Sequence, residues 1–421
     1  MRVKRFATRL AYVGAGLGVA FASPGFAVDW YLEANANVSQ QFHSNIQLLP
    51  DRFNPEAVFG TDLGLTAQLV AQEPNWQVKS RVRLQNLFYT PIDHIDTQNQ
   101  YLDLDAYYAT ERSRFALSVH HTDDALLSSQ SEGVVGIVVT RVQRSETTLA
   151  PSWAYVLDER TRLTLGYAYQ TSDYEARQNV GYVDATVHTA SIGLEHQLTE
   201  RLALTGHLAY NAYRASQRTI DYVNVMAGFQ YALTETLDLN VSGGGQYSDS
   251  ETNLQTLRLA GFQIVSLDPL QIAPVVVPEK VTFKDQQFGP LVTASARKRF
   301  ETSDWELVYR HQISPAINGA LFESDRVTLS GRQRLTERLS ANLKLSYSEY
   351  TRPHLNGETI QQSYYLLNGE LSYALTEQWH LSASYQYVLR DLSKNAGTFA
   401  GNQDDHAVFV TLRYSFDPFY F

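Results

Sequence analysis

The residues best suited to chemistry in this sequence are cations spaced two apart. Lys79, Arg81 and Arg83, then Arg297 and Arg299, then Arg332 and Arg334 fall at alternate positions, joined by Arg310, Arg326, Lys344, Arg390 and Arg413. In an extended chain alternate residues share one face, so this spacing builds ladders of fixed positive charge. A guanidinium is a permanent cation whose planar fork of donors matches carboxylate and phosphate oxygens. The chemistry on offer is electrostatic capture of anions, with no bond made or broken.

Covalent alternatives are poorly supplied. The 421 residues include no Cys, which removes disulfides, thiolate metal sites and a Cys nucleophile. No Gly-x-Ser-x-Gly, His-Glu-x-x-His or phosphate-binding glycine loop occurs. His120-His121 before Asp123-Asp124 could be read as a metal or protease site. Successive strand residues point to opposite faces, however, so the two imidazoles do not converge and a solvated rim is expected. The chain reads as a non-enzyme with no metal and no cofactor. With 34 Lys+Arg against 44 Asp+Glu it is also not a nucleic-acid binder.

The elements that must position the cations are strands. Strict apolar/polar alternation runs through Leu163 to Gln170, Leu202 to Tyr210, Leu237 to Tyr247, Leu339 to Ser348, Trp379 to Leu389 and Val408 to Phe416, and alternation at period two is the strand signal. Between runs lie tight turns of one kind, Leu198-Thr199-Glu200-Arg201, Leu233-Thr234-Glu235-Thr236, Leu335-Thr336-Glu337-Arg338 and Leu375-Thr376-Glu377-Gln378, with variants near Pro74, Glu111, Glu159 and Thr302. Each pair of neighbouring turns encloses two strands and one longer connection, a hairpin repeat. Two runs precede the first turn and two follow the last, so the expected total is about 18 strands. Gly243-Gly244-Gly245 fits sheet bending in a closed barrel.

Residues 1–27 read as a signal peptide, with Arg2, Lys4, Arg5 and Arg9 before an apolar stretch and small residues at Gly25 and Ala27. Its removal leaves residues 28–421 with a net charge of −14, since four of the 34 Lys+Arg leave and all 44 acids remain. No later stretch is apolar enough for a membrane helix. The expected fold is therefore all-β, a transmembrane antiparallel up-and-down β-barrel in the bacterial outer membrane, with short turns facing the periplasm and longer connections facing outward. Trp76, Trp153, Tyr155, Tyr231, Trp305, Tyr373, Trp379 and Tyr414 sit near run ends, where aromatic girdles meet the lipid interface.

The phrase Leu335-Thr336-Glu337-Arg338-Leu339-Ser340-Ala341-Asn342-Leu343-Lys344-Leu345-Ser346-Tyr347, with the carboxyl-terminal Phe421, resembles the β-barrel porins of Gram-negative outer membranes, including those of exopolysaccharide-export loci. The resemblance implies outer-membrane lipid and the barrel assembly machinery as partners, the latter reading the terminal Phe. It also implies periplasmic export components and an anionic polysaccharide as further partners. Asp417-Pro418 departs from the pattern by interrupting alternation just before the end.

With the apolar positions facing lipid, all twelve cations face inward from the first three and last seven strands, which closure makes one arc. Inward acids there are Asp29, Glu33, Asp62, Glu306 and Glu370, whereas the opposite wall is expected to hold Asp103, Asp105, Glu195 and Asp238 with almost no inward base. Such a lining suits a pore for passive passage of anionic solutes, extending to export of an acidic exopolysaccharide. The alternatives are a general or sugar-specific porin, with Tyr31, Tyr107, Tyr213, Tyr222 and Tyr364 stacking on sugar rings, or a closed barrel acting as scaffold or adhesin. The segment 251–285 is unusually apolar for a connection. It is expected as a long extracellular or lumen-folded loop that narrows or covers the pore.

Overall fold

The computed structural model describes residues 28–126, 142–175, 182–267, 270–316, 319–353, 359–392 and 400–421, so the expected signal peptide lies outside the described residues. Among them eighteen long strands follow in order: β1 (Asp29–His43), β2 (Val58–Glu73), β3 (Trp76–Thr90), β4 (Thr97–Ala109), β5 (Ser113–Leu126), β6 (Val142–Asp158), β7 (Thr161–Tyr174), β8 (Ala185–Thr199) and β9 (Leu202–Ala215) form the first half. The second half comprises β10 (Arg218–Thr234), β11 (Leu237–Leu267), β12 (Leu270–Arg299), β13 (Ser303–Pro315), β14 (Leu321–Arg334), β15 (Leu339–Pro353), β16 (Thr359–Ala374), β17 (Trp379–Leu392) and β18 (Gly401–Ser415), with a two-residue β19 (Phe419–Tyr420) after it. Each strand pairs antiparallel with its sequence neighbours, and β1 closes the barrel by pairing with both β2 and β18.

The recurrent Leu-Thr-Glu turn has a local cause. The Thr336 hydroxyl oxygen accepts from the backbone N–H groups of Arg338 and Leu339 at 3.2 and 2.9 Å. Thr199 and Thr376 repeat the arrangement with Leu202 and Trp379 at 3.1 and 3.0 Å. The side chain thus satisfies amides that the turn leaves without a strand partner. At Gly244, which lies opposite Met226, a Cβ would stand 1.8 Å from the Val225 carbonyl oxygen, so only glycine permits that approach of β10 to β11.

Alternation sorts the two faces. Val38, Leu65, Leu84, Phe115, Ile192, Leu204, Leu307 and Val410 are exposed on the outer surface, while Gln41, Asn99, Asn211, Gln246, Ser348 and Gln403 are buried on the inner one. An apolar exterior over a polar interior suits lipid outside and water inside. Phe115 stacks on Trp153, and Trp379 meets Tyr414 with ring centroids 4.8 Å apart, both pairs at the turn-side rim.

The last strand changes register once. Asn35 pairs with Ser415, but Tyr31 pairs with Tyr420, so one extra residue enters between them around Asp417-Pro418. Proline cannot donate to the ladder, and a bulge is where it is tolerated. The extra residue moves Phe419 and Phe421 from the inner parity to the outer face, where the Phe421 N–H donates to the Trp30 carbonyl at 3.1 Å and the two Phe rings meet at 4.9 Å.

Two connections decide the interior. The one between β1 and β2 folds into the lumen and includes a short 3-10 turn at Asp51–Phe53. Its Ile46 packs with Val58, Leu87, Tyr89 and Ile95, and its Leu48 with Phe322, Tyr350, Tyr364 and Val388, bridging the two sides of the arc. An 18-stranded barrel is too wide for side chains to fill, so an inward connection is what narrows it. The segment 251–285, expected as a long extracellular or lumen-folded loop that narrows or covers the pore, is the paired end of β11 and β12 and does not fold into the lumen. These strands pair from Leu237 with Lys298 out to Leu267 with Leu270, whereas β10 follows β11 only to Thr252 and β13 meets β12 only from Val292. The hairpin therefore continues past the barrel for roughly 15 residues, or about 50 Å at the strand rise. Among the described residues no strands but β10 and β13 pack substantially on it. Pairing satisfies the backbone polar groups on the facing edges of its β-branched segment, and water takes those on the outer edges.

Candidate functional site in the barrel lumen

The inward face of the arc is set by strand parity. Leu87 and Tyr89 are buried inward while Leu84 and Phe88 are exposed outward, which turns Lys79, Arg81 and Arg83 to the lumen. The same test places Arg297 and Arg299 with Leu291, Arg326, Arg332 and Arg334 with Phe322 and Ser324, and Lys344 with Ser346 and Ser348. Arg310 faces Arg326 directly across β13 and β14. Like charges in that position repel, and Arg326 is steadied by the Ser348 and Tyr350 hydroxyls at 2.9 and 2.6 Å. Arg81 donates to Gln68, whose amide donates to Glu33, and the Arg83 guanidinium lies 3.9 Å over the Tyr101 ring.

Near the turns two cations are neutralised. Arg297 binds Asp304 and Arg299 binds Asp238, each at 2.6 Å. Arg81, Arg83, Arg310, Arg332, Arg334 and Arg413 are exposed to the lumen and form no salt bridge with a described residue. Asp304 and Asp405 add to the arc's inward acids, and the arc still holds a surplus of base.

Arg390 departs from the expected pore lining. It is 3% exposed and lies beneath the inward connection, donating to the Leu48 carbonyl at 2.7 Å and to Gln403 at 2.9 Å. It clamps the connection and does not face a passage. Beside it Asp405, fully buried, accepts from the Asn45 N–H at 2.8 Å and contacts His43 at 2.7 Å, fixing the connection at the β1–β18 seam. Leu48 itself has φ +49°, a left-handed conformation that a Leu holds only where its surroundings enforce it.

The opposite wall also differs from expectation. Arg114, Arg144, Arg162 and Arg218 all face inward there. Arg114 covers Tyr107 at 4.2 Å, Arg144 binds Asp124 and Glu146, Arg162 pairs in register with Glu195, and Arg218 donates to the Gly319 carbonyl of the β13–β14 connection. All four lie within three residues of a strand start, where few neighbours fix the alternation. His120 bonds Asp103 and His121 bonds Thr147, each at 2.9 Å, on opposite faces.

The tyrosines divide. Tyr213 and Tyr364 are 5% and 8% exposed, packed under the connections, and so cannot stack on a passing sugar. Tyr31 meets Tyr420, and Tyr107 is covered by Arg114. Tyr222 lines the inner wall and is half-buried.

A closed barrel with an apolar exterior, a turn-side aromatic rim and a charged interior is a transmembrane β-barrel of the bacterial outer membrane. Solved structures of outer-membrane proteins share this fold. The ferric-catecholate import receptor Fiu of E. coli K12, in its closed form, is 9% identical with a TM-score of 0.50, over 92% of this chain and 82% of its own. OccAB1 of Acinetobacter baumannii is 9% identical with a TM-score of 0.47, over 94% and 99%. OccK2 of Pseudomonas aeruginosa, solved with glucuronate, is 10% identical with a TM-score of 0.46, over 92% and 98%. At 9% identity the likeness to Fiu concerns the fold alone. No family model and no curated protein matches the sequence.

Proposed function

We propose that the protein is a pore for passive passage of anionic solutes, extending to an acidic polysaccharide delivered by periplasmic export components. The observation that carries this reading is the row of lumen-exposed Arg81, Arg83, Arg310, Arg332, Arg334 and Arg413 without carboxylate partners among the described residues. Permeating ions sense these groups more strongly than rim charges, which salt screens beyond about 8 Å. The chain's acidity is no obstacle, because many acids, such as Asp221 and Asp325, sit on the outer parity and bond to Arg214 or to Tyr309 and His311.

The test is the reversal potential of single channels in a planar bilayer under a salt gradient. Anion preference is expected, and Arg81→Gln, Arg83→Gln and Lys344→Gln together should move it toward cations. A wild-type channel that prefers cations overturns the reading.

A further inference from the structure

The turn-side end of the arc holds a recess of ≈ 620 Å³, the size of pocket that takes a small ligand. Its shape follows from side-chain size across five strands. Arg334 faces Ser340, Ser340 faces Ser372, and Ala374 faces His380, which faces Arg413. Small residues on β15 and β16 make a floor, with Arg332 and Arg334 on one bank and His380 and Arg413 on the other. From β14 to β18 is four strand spacings, roughly 19 Å of wall, wider than one carboxylate can bridge. The banks offer donors for charged groups, and Ser340 and Ser372 offer hydroxyls between them.

We propose that this recess is a binding subsite for a short acidic oligosaccharide, its carboxylates taken by Arg334 and Arg413 and its hydroxyls by the serine floor. The proposal rests on the anionic-pore reading and specifies what collects at the turn-side mouth. A single carboxylate would occupy one bank only, and a neutral sugar would use the floor only.

The test is isothermal titration of the detergent-solubilised full chain with a disaccharide of two uronic acid residues, beside the matching neutral disaccharide and a single uronic acid. The uronic disaccharide should bind, and the other two should bind at least about tenfold more weakly, the effect of one charge-assisted hydrogen bond. Arg334→Gln and Arg413→Gln should each weaken binding by a similar factor. Arg162→Gln, at the same depth on the opposite wall, should leave it unchanged. Heat-modifiable migration confirms that each variant is a folded barrel. No binding by an anion-selective channel overturns the subsite and spares the parent reading, as does equal binding of the neutral disaccharide. Cation preference in the bilayer overturns both.

Discussion

Two apolar segments leave the barrel on the side opposite the tight turns and end in opposite situations. The β1–β2 connection turns inward, and its Ile46 and Leu48 are 1% and 0% exposed. The β11–β12 end runs outward as a two-stranded ribbon, with Val277 and Phe283 41% and 44% exposed. Both sequences carry enough apolar residues to suggest burial. What separates them is where the backbone polar groups go. The ribbon satisfies its own ladder and needs no wall. The first connection has no strand partner, so Asn45 bonds both ways with Leu49 at 2.9 Å while Arg390 and Asp405 take other backbone groups. A segment that borrows its hydrogen bonds from the barrel is held inside it.

The largest effect should come from exchanging which segment is removed. Replacing residues 45–56 with a short flexible linker is expected to raise single-channel conductance several-fold. Removing residues 257–278 should leave it unchanged, because that length pairs only with itself. Equal rises would mean that the outer ribbon narrows the path after all, as the apolar composition of 251–285 alone suggests.

A smaller change should follow from loosening the inward connection in place. Leu48→Ala removes a fully buried side chain from its cluster, at a cost of about 2–5 kcal/mol to local packing. Arg390→Gln shortens the clamp on the Leu48 carbonyl. Both should give noisier channels with conductance between wild type and the deletion. A quiet, unchanged channel from both would show that the connection is held by other contacts.

Much of this architecture was legible in the alternation. The count of 18 strands follows from eight turns with two runs before the first and two after the last, and Thr199, Thr336 and Thr376 mark a local turn motif that needs no tertiary context. Inward orientation of the arc was equally legible, because each strand has many outward apolar residues to fix its parity. What the alternation could not show is which inward cation remains in the passage. Arg390 and Arg81 have the same signature in sequence, and only a connection folding back from more than 300 residues away covers Arg390. The orientation of Phe421 was likewise hidden, because one bulged residue reverses every parity after it.

The smallest expected effect concerns exposure alone. Trypsin added to intact cells should cut the outer ribbon and spare the first connection. Arg258 and Lys284 have side chains 69% and 73% exposed, and their partners Glu279 and Glu251 lie at 3.8 and 3.6 Å on the facing strand. Exposed pairs at such distances contribute little, and a two-stranded hairpin without a third strand is marginal in water. The ribbon should therefore open often enough for a protease to bind an extended stretch of it. Arg52 of the first connection carries a suitable side chain but sits in the connection that folds into the lumen, where a protease cannot follow. Arg201 and Arg338, in turns on the opposite side, should also survive. Cleavage at either turn in intact cells would reverse the orientation of the barrel, and with it the assignment of the arginine-lined recess to the periplasmic mouth.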